Sequence, residues 1–260
     1  MKKTAICFDL DGTLLDPQDQ IHPLDKALLL NPPPGVTFIP CTGRTRGGVR
    51  EMFERNGMFD RQVLPFPMTV SNGTLCFAPG EQLTEYRALP RWLQEELLRR
   101  LTPTRLALLF FNSDQIHLLN PTPYGVETAE RYAFYHVPFR DDSRDIAFAK
   151  VMVLAPDHER LVQVSESLAD LPLERAFNLS DCLALTQAGV TKASGAALLL
   201  QRLGLEDAQV LAAGDGENDL PLFALAQRSV APHTAPEHVR QAASAVVRVS
   251  ERGLFTPLLE

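Results

Sequence analysis

Only four cysteines occur in the 260 residues, at positions 7, 41, 76 and 182, and no two are spaced as a C-x-x-C metal or redox motif. Long apolar runs are also missing. Leu106–Phe111 is among the longest, far short of the ~18 residues that a membrane-spanning helix needs. Thr4–Phe8 is too short for a signal-peptide core before Asp9 interrupts it. The expectation is a cytoplasmic protein with reduced thiols and no membrane partner. Basic charge is in deficit, Lys plus Arg 25 against Asp plus Glu 32, for a net charge of −7. That balance argues against non-specific affinity for nucleic acid or anionic membrane, while leaving room for a local basic pocket. Internal repeats and low-complexity tracts are absent. Ordinary globular proportions, 45% apolar and 22% charged, exclude wholesale disorder.

Proline, at 20 residues, punctuates the chain. Asn31-Pro32-Pro33-Pro34-Gly35 is a turn, because proline removes amide donors and restricts the residue before it. Around it the pattern predicts a strand at Thr4–Phe8, a helix at Leu24–Leu30, a strand at Val36–Cys41 and a helix at Arg46–Asn56. Thr69–Val70 and Leu75–Phe77 flank Asn72-Gly73 as in a hairpin. The last third repeats the alternation: helix Ala193–Leu203, strand Gln209–Ala213, helix Leu220–Ala226, a strand from Val230, helix Glu237–Ala243 and strand Ala245–Val249. Alternating strands and helices imply a parallel sheet covered on both faces. The middle is less regular, with helices at Leu93–Leu101 and Glu159–Leu168 and strands at Leu106–Phe111, Ile116–Leu119, Lys150–Leu154 and Leu183–Thr186. The reading is α/β: a Rossmann-like parallel-sheet core, residues 1–84 and 188–260, interrupted by an inserted α+β domain, residues 85–187.

Four polar constellations fall at predicted strand or helix ends. In Phe8-Asp9-Leu10-Asp11-Gly12-Thr13 the two aspartates lie two apart on extended chain and project to one side. Ligands of open parallel sheets bind beyond the carboxyl ends of strands. Like charges so close call for a cation or a shared proton, and Mg²⁺ is the usual hard cation around phosphates. An Asx turn with an exposed carboxylate reads the same residues. Asp215 and Asp219 of Gly214-Asp215-Gly216-Glu217-Asn218-Asp219 could face one metal, or form a glycine turn with a capped helix. Cys41-Thr42-Gly43-Arg44 offers a hydroxyl and backbone amides to a phosphoryl oxygen, or a helix cap. Lys192, at the entrance of the helix after Gly189-Val190-Thr191, opposes the helix dipole and needs an anion or solvent.

The order of these sites resembles the haloacid dehalogenase superfamily of aspartate-nucleophile phosphatases. Asp9 and Asp11 match its first motif, Thr42 its second, Lys192 its third, and Asp215 with Asp219 its fourth. An insert between the second and third motifs resembles the Cof-like branch with a large α/β cap. Thr42-Gly43-Arg44, Asn72-Gly73 and Gly189-Val190-Thr191-Lys192 sit where that branch has its signatures. The chain departs from it at Asn72-Gly73-Thr74, where alanine is usual in third place. It departs again at Pro232-His233-Thr234-Ala235, where Met-Gly-Asn-Ala is usual.

The resemblance implies a Mg²⁺-dependent phosphatase acting on a small phosphorylated metabolite such as a sugar phosphate. Asp9 is then the nucleophile, Asp11 the general acid and base, and Lys192 and Thr42 the groups that hold the phosphoryl oxygens. Asp9, Asp215, Asp219 and the Asp11 carbonyl are the implied metal ligands. Gly43, Arg44 and Asn72 are the further substrate-binding residues, together with Asn218, which positions Lys192 or an aspartate. The runner-up readings are a sugar phosphomutase on the same fold and a non-catalytic phospholigand-binding protein. Dehalogenase relatives lack the second aspartate and the metal site, so a carbon–halogen substrate is disfavoured. Tyr132, Phe134, Tyr135 and Phe139, with Trp92 and His117, are expected mainly to build the cap's core.

Overall fold

A computed structural model describes residues 3–60, 62–113, 115–131, 134–179 and 181–260; Tyr132 of the expected aromatic cluster lies outside them. The chain divides into two compact units, Met1–Glu85 with Thr191–Glu260, and Tyr86–Val190.

The first unit begins with β1 (Thr4–Phe8), α1 (Pro23–Leu30), β2 (Val36–Pro40), α2 (Arg46–Arg55), β3 (Met68–Val70), β4 (Leu75–Ala78) and β5 (Gln82–Tyr86). The second unit holds α3 (Arg91–Leu101), β6 (Ala107–Phe111), β7 (Ile116–Leu119), α4 (Pro123–Arg131), β8 (His136–Pro138), β9 (Lys150–Leu154), α5 (His158–Ser167), β10 (Leu173–Leu179) and β11 (Cys182–Gln187). The chain returns to the first unit with α6 (Lys192–Arg202), β12 (Gln209–Ala213), α7 (Leu220–Leu225), β13 (Arg228–Pro232), α8 (Glu237–Ala242), β14 (Ala245–Val247), α9 (Val249–Arg252) and α10 (Thr256–Leu259).

The core sheet runs β14-β13-β12-β1-β2 and is parallel throughout. Such strands are covered on both faces, which is why they read as short continuous apolar runs. On one face Ala5, Cys7, Ile39, Val210, Ala212 and Ala231 pack against apolar residues of α6, α7 and α8. On the other, Phe8, Phe38 and Phe255 stack with centroids 4.7–6.3 Å apart. Buried Asp25 ties the C-terminal segment to this face by accepting from the amides of Leu254 at 2.7 Å and Phe255 at 2.9 Å. Register decides where chemistry can occur. Phe8 pairs with Pro40 on one side and Ala213 on the other, so the residues that follow these three strands emerge level and side by side.

The second unit is a six-stranded sheet in the order β10-β11-β9-β6-β7-β8, antiparallel except for the β7–β8 pair. Leu93, Leu97, Leu98 and Leu101 of α3 and Leu161 and Val164 of α5 bury one face; Val126 and Ala129 of α4 lie on the other. Trp92 departs from expectation: it falls outside the α3 stripe and is 54% exposed. Tyr135 does too, at 79%. Phe134, Phe139 and His117 pack inward as expected, His117 with Nδ1 3.2 Å from the Ser143 hydroxyl.

The reading of the pattern leaves out β5, α4, β8 and β10, and the predicted last strand stops at Val247, two residues before α9 begins. Among the described residues, no helix is long and apolar enough to cross a membrane.

Candidate active site

The levelled ends of β1, β2 and β12 deliver Asp9, Thr42 and Asp215 to one edge of the core sheet. After Phe8 the chain winds through an irregular turn, Leu10–Leu14, in which Gly12 has φ +75°. A Cβ at Gly12 would collide with the Asp215 carboxylate, with Cγ 2.9 Å away, so glycine is required both by conformation and by approach. The Thr13 hydroxyl, one residue on, donates to Asp215 Oδ1 at 2.9 Å.

Lys192 opens α6. Thr191 caps the helix, accepting from Ser194 N at 3.1 Å while the Ser194 hydroxyl accepts from Thr191 N at 2.9 Å. This pins the lysine at the first turn, on the same buried face as Gly195, Ala196 and Leu199. Its Nζ lies 2.8 Å from Asp9 Oδ1 and 2.8 Å from Asp219 Oδ1. Asp219 Oδ2 accepts from the amides of Asp215 and Gly216, each at 3.1 Å. Asp219 thus ties the amides of its own turn to the lysine, while as the residue before α7 it makes no side-chain cap bond to that helix.

Ligand oxygens of Asp9, Asp215 and Asp219 lie within 4.8 Å of one another. Burial drives the Asp9 carboxyl well above the ordinary carboxylate range; Lys192 opposes this, and Asp219, Asp11 and Asp215 add to it. Burial and then Asp219 push Asp215 up to about 6, against the Thr13 hydrogen bond. Burial works against the charge on Lys192, yet Asp219 and Asp9 outweigh it and hold the ammonium above its ordinary pKa. Among the described residues no protein donor meets Asp9 Oδ2 or Asp215 Oδ2. Buried, crowded carboxylates with free oxygens on Asp9 and Asp215 fit one hard divalent cation, which would offset both the burial and the smaller mutual repulsion that raise Asp9 and Asp215.

A second group forms beside the first. The Asp11 side chain stays out of the carboxylate cluster and is gripped by Arg44, whose Nε lies 3.1 and 2.9 Å from the two carboxylate oxygens while Nη2 meets Oδ1. Thr42 is fully buried and its Oγ1 accepts from Arg44 N at 3.1 Å. The cap of α2 is Thr45, accepting from Gly48 N at 3.1 Å, so the helix-cap reading of Thr42 gives way and its hydroxyl stays at the strand end. Asn72 is buried in the turn Ser71–Gly73, its backbone N–H donating to Thr42 O at 3.0 Å. Gly43 lies between Thr42 and Arg44. Asn218, half-buried, borders Gly216, where a Cβ would sit 2.8 Å from Asn218 Oδ1.

Thr13 and Gly12 belong to the site and carry no expected role, although both stand in the first constellation. The signal available for them was a small residue and a hydroxyl directly after the paired aspartates.

Comparison with known proteins gives the family. A family model of haloacid dehalogenase-like hydrolases matches residues 6–254, and the chain belongs to that family. An uncharacterised hydrolase of Schizosaccharomyces pombe is 30% identical, over 94% of this chain and 85% of that protein. A protein of Cronobacter sakazakii named HMP-PP phosphatase is 28% identical, over 86% of this chain and 81% of its own. The solved structure of a haloacid dehalogenase subclass IIB sugar phosphatase superposes with a TM-score of 0.76 at 21% identity, covering 94% of this chain and 93% of that one; this likeness is one of fold. The expectation of an enzyme of phosphatase type, of Cof-like build, is borne out by these matches.

Proposed function

We propose that this chain hydrolyses small phosphate monoesters, sugar phosphates or similar metabolites, with Mg²⁺ and through an aspartyl-phosphate on Asp9. The observation that carries the reading is the buried contact of one ammonium with two carboxylates, Lys192 Nζ to Asp9 and Asp219 at 2.8 Å, beside Asp215 at the ends of parallel strands. Relatives named HMP-PP phosphatase and sugar phosphatase support the substrate class. Four buried free cysteines support a reducing, cytoplasmic setting.

Asp9, Asp215, Asp219 and the Asp11 carbonyl would hold Mg²⁺, and the bound ion would supply positive charge to offset that of the phosphate. Lys192 and the Thr42 hydroxyl bind phosphoryl oxygens, and Lys192 favours the ionised form of Asp9 against its burial and holds it aimed. An Asp9 carboxylate oxygen forms a bond to phosphorus as the ester P–O bond breaks, and Asp11 gives its proton to the departing alkoxide. Asp11, now a carboxylate, takes a proton from water as that water attacks phosphorus and the bond between phosphorus and the Asp9 oxygen breaks. Inorganic phosphate leaves, and Asp9 and protonated Asp11 are restored. Arg44, bidentate on Asp11, orients it for both transfers. Gly43 shapes the phosphoryl loop and Asn218 braces the Lys192–Asp219 end of the site. Residues 85–187 act as the cap that selects the alcohol.

The test is phosphate release from p-nitrophenyl phosphate and a panel of sugar phosphates. Turnover with Mg²⁺, loss with EDTA, and a fall of ~10⁴-fold or more in Asp9→Asn are expected. Isomerised sugar phosphate among the products would make the chain a mutase. Phosphate-ester binding without turnover would make it a binding protein.

A further inference from the structure

Between the paired aspartates and α1 the chain makes a small hairpin. Leu15 and Ile21 pair across its base, both buried, and Asp16–Gln20 form an exposed polar tip. An exposed tip can leave its amides to water, yet those of Asp16, Gln18, Asp19 and Gln20 are all met within the protein. Asp16 N donates to Gln20 O at 3.0 Å, and Asp19 N to Asp16 O at 2.9 Å. The Asp16 carboxylate accepts from Gln18 N at 2.9 Å and from Gln20 N at 2.8 Å. Pro17 has no amide to donate. A loop bonded in this way holds its position.

Its anchor is the buried Asn56, at the end of α2. Asn56 Oδ1 accepts from Ile21 N at 2.8 Å, and Nδ2 donates to Asp19 O at 2.9 Å and to Met52 O at 3.0 Å. The helix itself is closed without this side chain, by Gly57 N to Glu54 O and Met58 N to Phe53 O, each at 2.9 Å. Two of the three side-chain bonds serve the hairpin instead. Asp19 is where they matter. Its φ of +58° is strained for a residue with a side chain, and such strain persists only where the surroundings impose it. With its carbonyl fixed on Asn56, its carboxylate Oδ1 lies 4.0 Å from Arg44 Nη2. The same Nη2 meets Asp11 Oδ1, so the guanidinium stands between two carboxylates. Asn56, Asp19, Arg44 and Asp11 thus form one connected row.

We propose that Asn56 is a positioning residue for the reaction: it fixes the hairpin so that Asp19 steadies the Arg44 guanidinium, and Arg44 keeps Asp11 aimed for proton transfer. The inference rests on the phosphatase reading, in which Asp11 moves the proton of the leaving group. It extends the machinery to the far end of α2, to a side chain whose effect passes through two others.

Leaving-group dependence separates this role from a structural one. Asn56→Asp keeps the size and the acceptor for Ile21 N, but turns a carboxylate oxygen toward Asp19 O and Met52 O. Asp19→Asn suits the same backbone and removes only an exposed charge, so it melts at the wild-type temperature. On an alkyl phosphate, kcat per folded molecule should fall about tenfold in Asn56→Asp and about threefold in Asp19→Asn, with KM changed less than about twofold. On p-nitrophenyl phosphate, whose leaving group departs without a proton, both losses should be smaller. In an Arg44→Ala background Asn56→Asp should cost the alkyl-phosphate rate nothing further, because the row is already cut. Equal losses on the two esters, or losses that multiply with Arg44→Ala, would make Asn56 a structural residue and overturn the proposal. So would a wild-type alkyl-phosphate rate in Asp19→Asn. These outcomes leave the phosphatase reading intact; a wild type that releases phosphate from no ester removes both.

Discussion

Among the described residues two lysines are fully buried, Lys192 in the first unit and Lys150 in the second. Lys192 meets two carboxylates at 2.8 Å, which hold its charge against burial. Lys150 begins β9 with its ammonium 4.0 Å from the centroid of the Phe111 ring, and burial pulls its pKa down to about 7, with Cys182 a smaller, opposing influence. The same side chain at the same burial holds its charge in one unit and is pulled toward the neutral amine in the other. The difference teaches that burial works against an ammonium, and that two carboxylates arranged around it hold its charge.

Removing the core lysine should break this contrast with the largest effect. Lys192→Met leaves Asp9 and Asp219 buried without their cation, and a loss of about 3–5 kcal/mol in denaturant unfolding is expected. Turnover should fall at least ~10²–10³-fold in the fraction that remains folded. Magnesium added to the variant should recover part of the stability and little of the turnover, since the ion relieves the carboxylates without replacing the ammonium.

Arg44 sharpens the comparison, because its ion pair with Asp11 sits at the half-exposed rim of the same site. Exposed pairs contribute little to folding, so Arg44→Ala should change stability by less than about 1 kcal/mol. Its effect belongs to the chemistry. With Asp11 no longer oriented, kcat on alkyl phosphates should drop about 10–100-fold. The drop on p-nitrophenyl phosphate should be smaller, because that leaving group departs without a proton. Equal losses on both substrates would show that Arg44 binds the phosphate instead, and Arg44→Lys should restore only part of the alkyl-phosphate rate.

Lys150 carries the smallest prediction and the clearest pH signature. Its folded pKa of about 7 lies below its ordinary 10.5. Between these values the unfolded chain binds a proton that the folded chain does not, so stability rises with pH across that window, by at most about 1.4 kcal/mol per unit. Below pH 7 both states are protonated and the gain is gone. Lys150→Met should flatten this rise. Fluorescence of Trp92, the single tryptophan and part of α3 in the same unit, reads the unfolding locally. A wild type whose unfolding is flat from pH 7 to 9 would show that Lys150 keeps its charge.

Much of the site was legible before any coordinates. Asp9, Thr42, Lys192, Asp215 and Asp219 each follow or open a predicted element, and short apolar runs of period-less strand are distinctive in a parallel sheet. The core strands were found within a residue or two. What stayed hidden was short, polar or irregular: the three-residue β8, the proline-started α4 with a glycine inside it, and β10, whose Leu173–Leu179 carries Glu174 and Arg175. Trp92 was misplaced because one position on a helix turns a side chain by 100°, and the apolar pattern of α3 allowed it on either border of the stripe. The grip of Arg44 on Asp11 spans 33 residues of sequence, and no local pattern encodes it.

The sequence by itself pointed to the class of chemistry, because its carboxylates, lysine and hydroxyl recur at strand and helix ends in an order that resembles one family. Tertiary structure decided which groups meet. Parallel register levelled Phe8, Pro40 and Ala213, close approach at Gly12 brought Asp215 beside Asp9, and packing of α6 set Lys192 between two aspartates. It also left the Asn72 side-chain amide buried without a hydrogen-bond partner among the described residues, a property no residue has alone. Residue types fix what a group can donate or accept; only the distances between groups far apart in the chain fix whether folding satisfies it or leaves it for a ligand.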